Sequence, residues 1–176
     1  MDEIGRGHII RNFINEDVLN VFRHYSLIKA RLKNTYNSST NKYTTIHEPG
    51  IGHCIDIAGN DSFGDALMLV SLPKINKTLS LELSPVASFY RVYGRECILP
   101  VHIDQPEYEW SATVCMGYEA PDCWPIFIEE KPFYLEPGDC LLYQGAKHGH
   151  SRRVFNGSWQ TQLFLHYKEV KNEKHE

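Results

Sequence analysis

The spacing of apolar residues changes character near Ser80. Before it, two stretches repeat with a helical period; after it, short apolar runs alternate with polar positions. The first stretch, INEDVLNVFRHYSLIKARLKN (14–34), places Val18, Val21, Phe22, Tyr25 and Ile28 at helical spacing. Asn15 stands as its N-cap, Glu16 and Asp17 fill the first turn, and Lys29, Arg31 and Lys33 fall toward the end, where the helix dipole favours cations. His24 reads as a surface position of that helix. A second helix, FGDALMLVSLPKINKTL (63–79), is predicted with Ser62 as its cap and a break at Pro73.

Between the helices, Asn34 to Gly64 is rich in Asn, Ser, Thr, Gly and Asp around the strand-like islands KYTTIH and HCIDIA. Loops of this length often serve as lids. His47 and His53 flank EPGIG there and read as loop histidines rather than a second metal site.

After Ser80, eight short segments recur between Gly, Pro, Asp and Asn punctuation: VASFYRVY, CILPVHID, EWSATVCMGY, WPIFIEE, PFYLE, DCLLYQG, HGHSRRVF and WQTQLFLHYKEV. Strands at this spacing, preceded by helices, predict a mainly β protein with flanking helices, built as a double-stranded β-helix or jelly-roll barrel. No internal repeat appears. One domain over residues 1–176 is expected, with a helical and loop part at 1–78 and a β-barrel core at 79–170.

Composition narrows the function classes. A formal net charge of -4 provides no basic excess for a phosphate backbone, so there is no clear nucleic-acid signal. No run approaches a membrane span and the N-terminus lacks a signal-peptide pattern, so a cytoplasmic location is expected. Five scattered cysteines without a CxxC pair suit reduced thiols in a reducing compartment. A zinc cluster of Cys115, Cys123 and Cys140 is disfavoured, because Cys115 and Cys140 sit within strand-like runs.

The candidate chemistry begins in LPVHIDQPEYEWSATV. Period-2 geometry puts His102 and Asp104 on one side of a strand, either as a buried polar pair or as two legs of a metal site. Further on, LEPGDCLLYQGAKHGHSRRVF carries His148 and His150 at the start of another strand. A His-x-Asp with a distant histidine matches the two-His, one-carboxylate face that holds Fe(II) and leaves positions open for other ligands. Parity alone does not separate His148 from His150.

From Ser88 to Tyr167, and less firmly in FGDALM, the chain resembles the iron(II)- and 2-oxoglutarate-dependent dioxygenases. The resemblance is strongest to the prolyl-4-hydroxylase-like group and to small bacterial and phage-type relatives. It rests on FYRVYGRECILPVHIDQPEYEWSATVCMGYE and WPIFIEEKPFYLEPGDCLLYQGAKHGHSRRVFNGSWQTQLFLHY. It implies Fe(II) as cofactor, 2-oxoglutarate and dioxygen as co-substrates, and His102, Asp104 and His150 as metal ligands. His150 is chosen because HSRRVFNGSWQTQLFLHY matches the relatives' HWR..F.G....QVFLHY; His148 then lies beside the site. The implied reaction converts 2-oxoglutarate to succinate and carbon dioxide while a small-molecule, amino-acid or peptide substrate is hydroxylated. A carboxylate at Asp104 implies hydroxylation rather than halogenation.

The same resemblance makes Tyr93 a 2-oxoglutarate contact. It also exposes departures. Gln105 follows Asp104 where relatives often have Arg, and Gln160 occupies the window in which they carry a basic partner for the far carboxylate of 2-oxoglutarate. A buried carboxylate needs a cation or several hydrogen bonds. Arg91, sharing a strand face with Tyr93, is the first candidate and Arg152 the second, with amide help from Gln160 and Gln162. Trp110, Trp124 and Tyr108 are candidates for the mouth or for core. The competing expectations are a cupin-like metal-binding barrel that does not use 2-oxoglutarate, and a non-catalytic β-barrel interaction module.

Overall fold

The computed structural model describes residues 2–35, 46–48, 52–59 and 61–171, with side chains at 4–30 and 61–171. Its elements are α1 (Asp2–Gly5), β1 (His8–Ile10), α2 (Glu16–Thr35), β2 (Ile46–Glu48), β3 (Gly52–Gly59) and α3 (Ser62–Leu79). Eight strands follow: β4 (Leu83–Gly94), β5 (Leu99–His102), β6 (Trp110–Glu119), β7 (Ile126–Ile128), β8 (Lys131–Phe133), β9 (Cys140–Tyr143), β10 (His150–Arg152) and β11 (Trp159–Glu169). Each falls within, or within a few residues of, one of the eight alternating segments. The pairings are antiparallel and form two sheets, β1-β9-β6-β11-β4-β3-β2 and β5-β10-β7-β8, the two walls of a double-stranded β-helix.

The large sheet is buried on both faces, and parity sorts its residues. On β11, Leu163, Leu165 and Tyr167 face outward and pack with Tyr90 and Val92 of β4 and Ala112 and Val114 of β6. Against this face lie Leu19, Phe22 and Ala30 of α2 and Leu67, Met68, Ile75 and Leu79 of α3. Burying each large apolar side chain contributes roughly 1.5–3 kcal/mol. The alternate β11 positions, Gln160, Gln162, Phe164 and His166, turn toward the small sheet, opposite Tyr93, Arg91, Phe89 and Ala87. The barrel interior therefore sets polar side chains beside apolar clusters such as Ile126, Ile128, Leu141 and Tyr143, while the helices cover an apolar outer wall.

Several local expectations change. The face of α2 that packs is Leu19, Phe22, Ser26 and Ala30, whereas Val21 and Ile28 are exposed, because the sheet meets the helix one step around from the stripe read in sequence. Asn15 does cap α2, its Oδ1 accepting from the N–H of Val18 at 2.9 Å. The cap of α3 is Asp61 rather than Ser62: its carboxylate accepts from the N–H groups of Phe63 and Gly64. Pro73 stands inside α3 without ending it; the N–H it lacks would have bonded the carbonyl of Leu69, a residue on the exposed side. β1 has no counterpart in the sequence reading, and joins the edge of the large sheet by pairing with β9. The loop expected between Asn34 and Gly64 lies partly outside the described residues; within it β2 and β3 pair, with His47 opposite His53.

Cys140 packs in the outer core and Cys115 in the inner one, on opposite faces of the large sheet. Among the described residues no helix is long and apolar enough to cross a membrane.

Asp61 also accepts the Tyr25 hydroxyl and lies 3.7 Å from Lys29 Nζ, tying α2 to the start of α3. Loss of a helix cap alone costs about 1 kcal/mol. Asp61→Ala, which also strips the Tyr25 hydroxyl of its acceptor, is expected to lower stability by about 2 kcal/mol. Urea denaturation checks this as a lower midpoint at unchanged slope.

Candidate metal centre and adjoining pocket

His102 ends β5 and His150 begins β10, and antiparallel register sets the two directly opposite one another, ring centroids 4.2 Å apart. Asp104 follows just past the end of β5, where its N–H donates to the carbonyl of Gly145 at 2.9 Å. One donor atom from each of the three lies within 4.8 Å of the others. Nε2 of His150 is 3.4 Å from Asp104 Oδ1, and Nε2 of His102 is 3.9 Å from the same oxygen.

The second nitrogen of each ring is already engaged. His102 Nδ1 lies 2.9 Å from the carbonyl oxygen of Pro100, and His150 Nδ1 lies 3.1 Å from that of His148. A carbonyl only accepts, so each Nδ1 carries the proton and each Nε2 keeps a lone pair for the shared space. Burial alone would raise the Asp104 carboxyl pKa. A His150 ring protonated at both nitrogens, which gives the carboxylate a hydrogen bond and a charge, and the Ser111 hydroxyl outweigh that and hold it at about 2. His102 is shifted down, by burial first and then by His150. At neutral pH Asp104 is thus a carboxylate and His102 a neutral imidazole, the forms that bind a divalent cation.

His148 takes no part in this cluster. It precedes β10, so strand parity does not govern it, and its Nδ1 lies 2.8 Å from Glu129 Oε1 at the rim. Val101 and Ile103, on the opposite side of the β5 segment from the two site residues, are 70% and 61% exposed, so the strand's other face meets solvent rather than core.

Arg152, two residues past His150, is buried at 2% exposure. Its Nη1 donates to the carbonyl of Trp124 at 2.6 Å and its guanidinium lies 4.8 Å from that ring's centre. Nε and Nη2 are buried and meet no hydrogen-bond partner among the described residues. Burial pushes its pKa down, and Tyr93, Tyr143 and Cys115 stand near it. Tyr93 is fully buried and meets Trp124 edge-on, while the Arg91 guanidinium lies 5.6 Å from the Tyr93 ring centre and its charge helps lower the pKa of His102.

Across from Tyr93 on β11, Gln160 Nε2 donates to Gln162 Oε1 at 2.9 Å, and Gln162 Nε2 donates to Thr113 Oγ1 at 2.8 Å. Gln160 Oε1 is buried with no donor among the described residues. Tyr93, Arg91 and Gln160 therefore share the inner face of the large sheet, and Arg152 follows His150 on the facing wall.

The aromatic candidates divide. Trp110 belongs to the outer core, its Nε1 donating to Glu169; Trp124 walls the Arg152 pocket; Tyr108 stacks on His166. Sequence reasoning missed Ser111, Gly145 and His166, all of which adjoin Asp104. Polar residues at alternate positions of otherwise apolar strands were the available signal for Ser111 and His166.

The donor set, two imidazole nitrogens and one carboxylate oxygen on one side of a cavity, suits a divalent first-row metal such as Fe(II). No protein-family model matches the chain, and no curated protein matches its sequence. Solved structures do match its fold. The viral collagen prolyl hydroxylase vCPH from Paramecium bursaria Chlorella virus-1, in its 2-oxoglutarate complex, aligns with 94% of this chain and 97% of its own at TM-score 0.67 and 8% identity. A prolyl-4-hydroxylase from Pseudomonas putida aligns with 95% of this chain and 94% of its own at TM-score 0.67 and 14% identity. HygX from Streptomyces hygroscopicus, with nickel and 2-oxoglutarate bound, aligns with 94% and 83% at TM-score 0.66 and 10% identity. At such identities the likeness is one of fold.

Proposed function

We propose that this chain is an Fe(II)- and 2-oxoglutarate-dependent dioxygenase that hydroxylates an amino-acid, peptide or small-molecule substrate. The observation that carries this is the convergence of His102 Nε2, Asp104 Oδ1 and His150 Nε2, with both Nδ1 atoms held by backbone carbonyls. The shared fold with structures that hold 2-oxoglutarate and nickel supports it.

In this reading His102, Asp104 and His150 hold the iron, and their hydrogen bonds to Pro100, Ser111 and His148 orient them before it arrives. Iron held there would let dioxygen act as the oxidant, one of its oxygen atoms entering succinate as 2-oxoglutarate loses carbon dioxide and the other entering the hydroxylated product. Arg152, rather than Arg91, anchors the far carboxylate. Its unmatched Nε and Nη2 lie in a dry pocket beside Tyr93, where a carboxylate would satisfy both. A concerted flip of both glutamine amides, with the Thr113 hydroxyl then donating to Gln162 Oε1 and Gln162 Nε2 to Gln160 Oε1, would present a Gln160 N–H where its unmatched oxygen now stands. Trp124, Tyr93 and Phe155 wall the pocket and exclude water from the ion pair. His102 is the most open of the three, its side chain 41% exposed, which makes its side the approach for substrate.

An anaerobic titration with Fe(II) and 2-oxoglutarate tests the reading. The charge-transfer absorption of iron-bound 2-oxoglutarate is expected to appear at one equivalent, and admission of air is expected to yield succinate. Gln160 at the position where relatives carry a cation favours one other reading, a cupin-like metal barrel. Iron binding with no 2-oxoglutarate band and no succinate would establish that reading instead.

A further inference from the structure

Asp104 is backed by two polar side chains of the large sheet, Ser111 on β6 and His166 on β11, which stand opposite one another in register. Both are almost wholly buried, at 1% and 2% exposure. Ser111 Oγ lies 2.6 Å from Asp104 Oδ2 and 3.1 Å from His166 Nδ1. The hydroxyl has a single proton and the carboxylate can only accept, so that proton goes to Asp104. His166 Nδ1 is then the donor to Ser111 Oγ, and the ring is the Nδ1–H tautomer. Its Nε2 is left as a buried acceptor without a partner among the described residues. The ring stacks against Tyr108, 4.2 Å away at 20°, and against Phe89, 5.4 Å away at 19°, so it has little freedom to turn.

A buried acceptor with no donor is unfavourable, and an apolar residue at 166 would avoid it. What the histidine provides is direction. Its N–H fixes the serine lone pair, which fixes the serine proton, which fixes one carboxylate oxygen.

We propose that Ser111 and His166 are positioning residues that hold Asp104 to a single ligating oxygen. Oδ2 is engaged by Ser111, so Oδ1 alone faces His102 and His150, and the carboxylate is kept from turning to bind a metal through both oxygens. The consequence is one more coordination position available to other ligands. This inference rests on the metal-site reading above and adds residues that neither the His-x-Asp pattern nor the shared fold identifies.

Cobalt(II) titration of the metal-free protein under anaerobic conditions, followed by its visible ligand-field bands, tests it without catalysis. Ser111→Ala and His166→Phe are expected to weaken cobalt binding by about 10- to 100-fold and to shift the bands. His166→Asn, whose amide can place an N–H where Nδ1–H stood, is expected to recover most of the affinity and the wild-type spectrum. Urea midpoints of the metal-free variants separate lost geometry from lost fold, and His166→Asn keeps the test decisive if His166→Phe does not fold. Unchanged affinity and spectrum in folded Ser111→Ala overturn the inference and leave the metal site intact. So does a folded His166→Asn as weak as His166→Phe. A wild-type protein that binds no cobalt overturns the site and the inference together.

Discussion

Gly145→Ala is expected to abolish tight metal binding although it changes no metal ligand. A Cβ built on Gly145 falls 1.9 Å from Asp104 Oδ2, 2.5 Å from Ser111 Oγ and 2.8 Å from Asp104 Cγ, closer than a Cβ comes to atoms it is not bonded to. The Gly145 backbone is pinned on the same side, because its carbonyl accepts the Asp104 N–H at 2.9 Å. The carboxylate is the part that must move, and moving it breaks the Ser111 hydrogen bond and turns Oδ1 away from the histidines. Overpacking of this kind costs about 1–3 kcal/mol in stability. The larger expected effect is a loss of metal affinity of about 100-fold, the upper end of the range for groups that orient metal ligands. Isothermal titration with cobalt or iron under argon measures it. An alanine variant that binds metal as the wild type does would mean that the Gln144–His148 turn yields more readily than the carboxylate.

Arg152→Met is expected to separate stability from function. The guanidinium is buried with Nε and Nη2 unmatched, and a buried donor without an acceptor costs about 1–3 kcal/mol. Methionine has similar length, packs on Trp124, and needs no partner. Loss of the Nη1 hydrogen bond to the Trp124 carbonyl partly offsets the gain. The urea midpoint of the metal-free variant is therefore expected to equal or exceed that of the wild type. 2-Oxoglutarate binding is expected to fall by about 2–5 kcal/mol, the usual consequence of removing one partner from a desolvated ion pair. Metal affinity is expected to stay unchanged, since no ligand contacts Arg152. Arg91→Met supplies the comparison, with a smaller loss expected. If Arg91→Met proves the more damaging, the anchor lies on β4 and the order proposed for the two arginines reverses.

The two variants test residues that sequence reading handled differently. Arg152 was a candidate because it lies two positions from His150, and spacing along one strand is a local property. Gly145 drew no reading of its own beyond its place at the end of the DCLLYQG segment. Its second role depends on the approach of the 144–148 turn to the end of β5, which brings together residues distant in sequence. The same distinction explains the misread cap and helix face. Asp61 and Ser62 are both good N-caps, and the choice between them is made by where Tyr25 and Lys29 of α2 lie. The stripe of α2 is broad enough to fit two rotations, and the sheet selects the one that buries Leu19 and Phe22 while leaving Val21 and Ile28 in solvent.

By itself the sequence determined the eight strands that follow Ser80 and their order, the shared face of Arg91 and Tyr93 and of Gln160 and Gln162, and the pairing of His102 with Asp104. These follow from period-2 alternation and turn residues, which act over a few positions. Only the tertiary structure decided that His150 and not His148 faces His102. That choice depends on antiparallel register between β5 and β10, and on Glu129 drawing His148 aside. It likewise decided that Ser111, His166 and Gly145 surround the carboxylate, and that Arg152 is sealed in with Nε and Nη2 unmatched among the described residues. Register, close approach and desolvation are properties of strands brought together from opposite ends of the chain, and no local pattern encodes them.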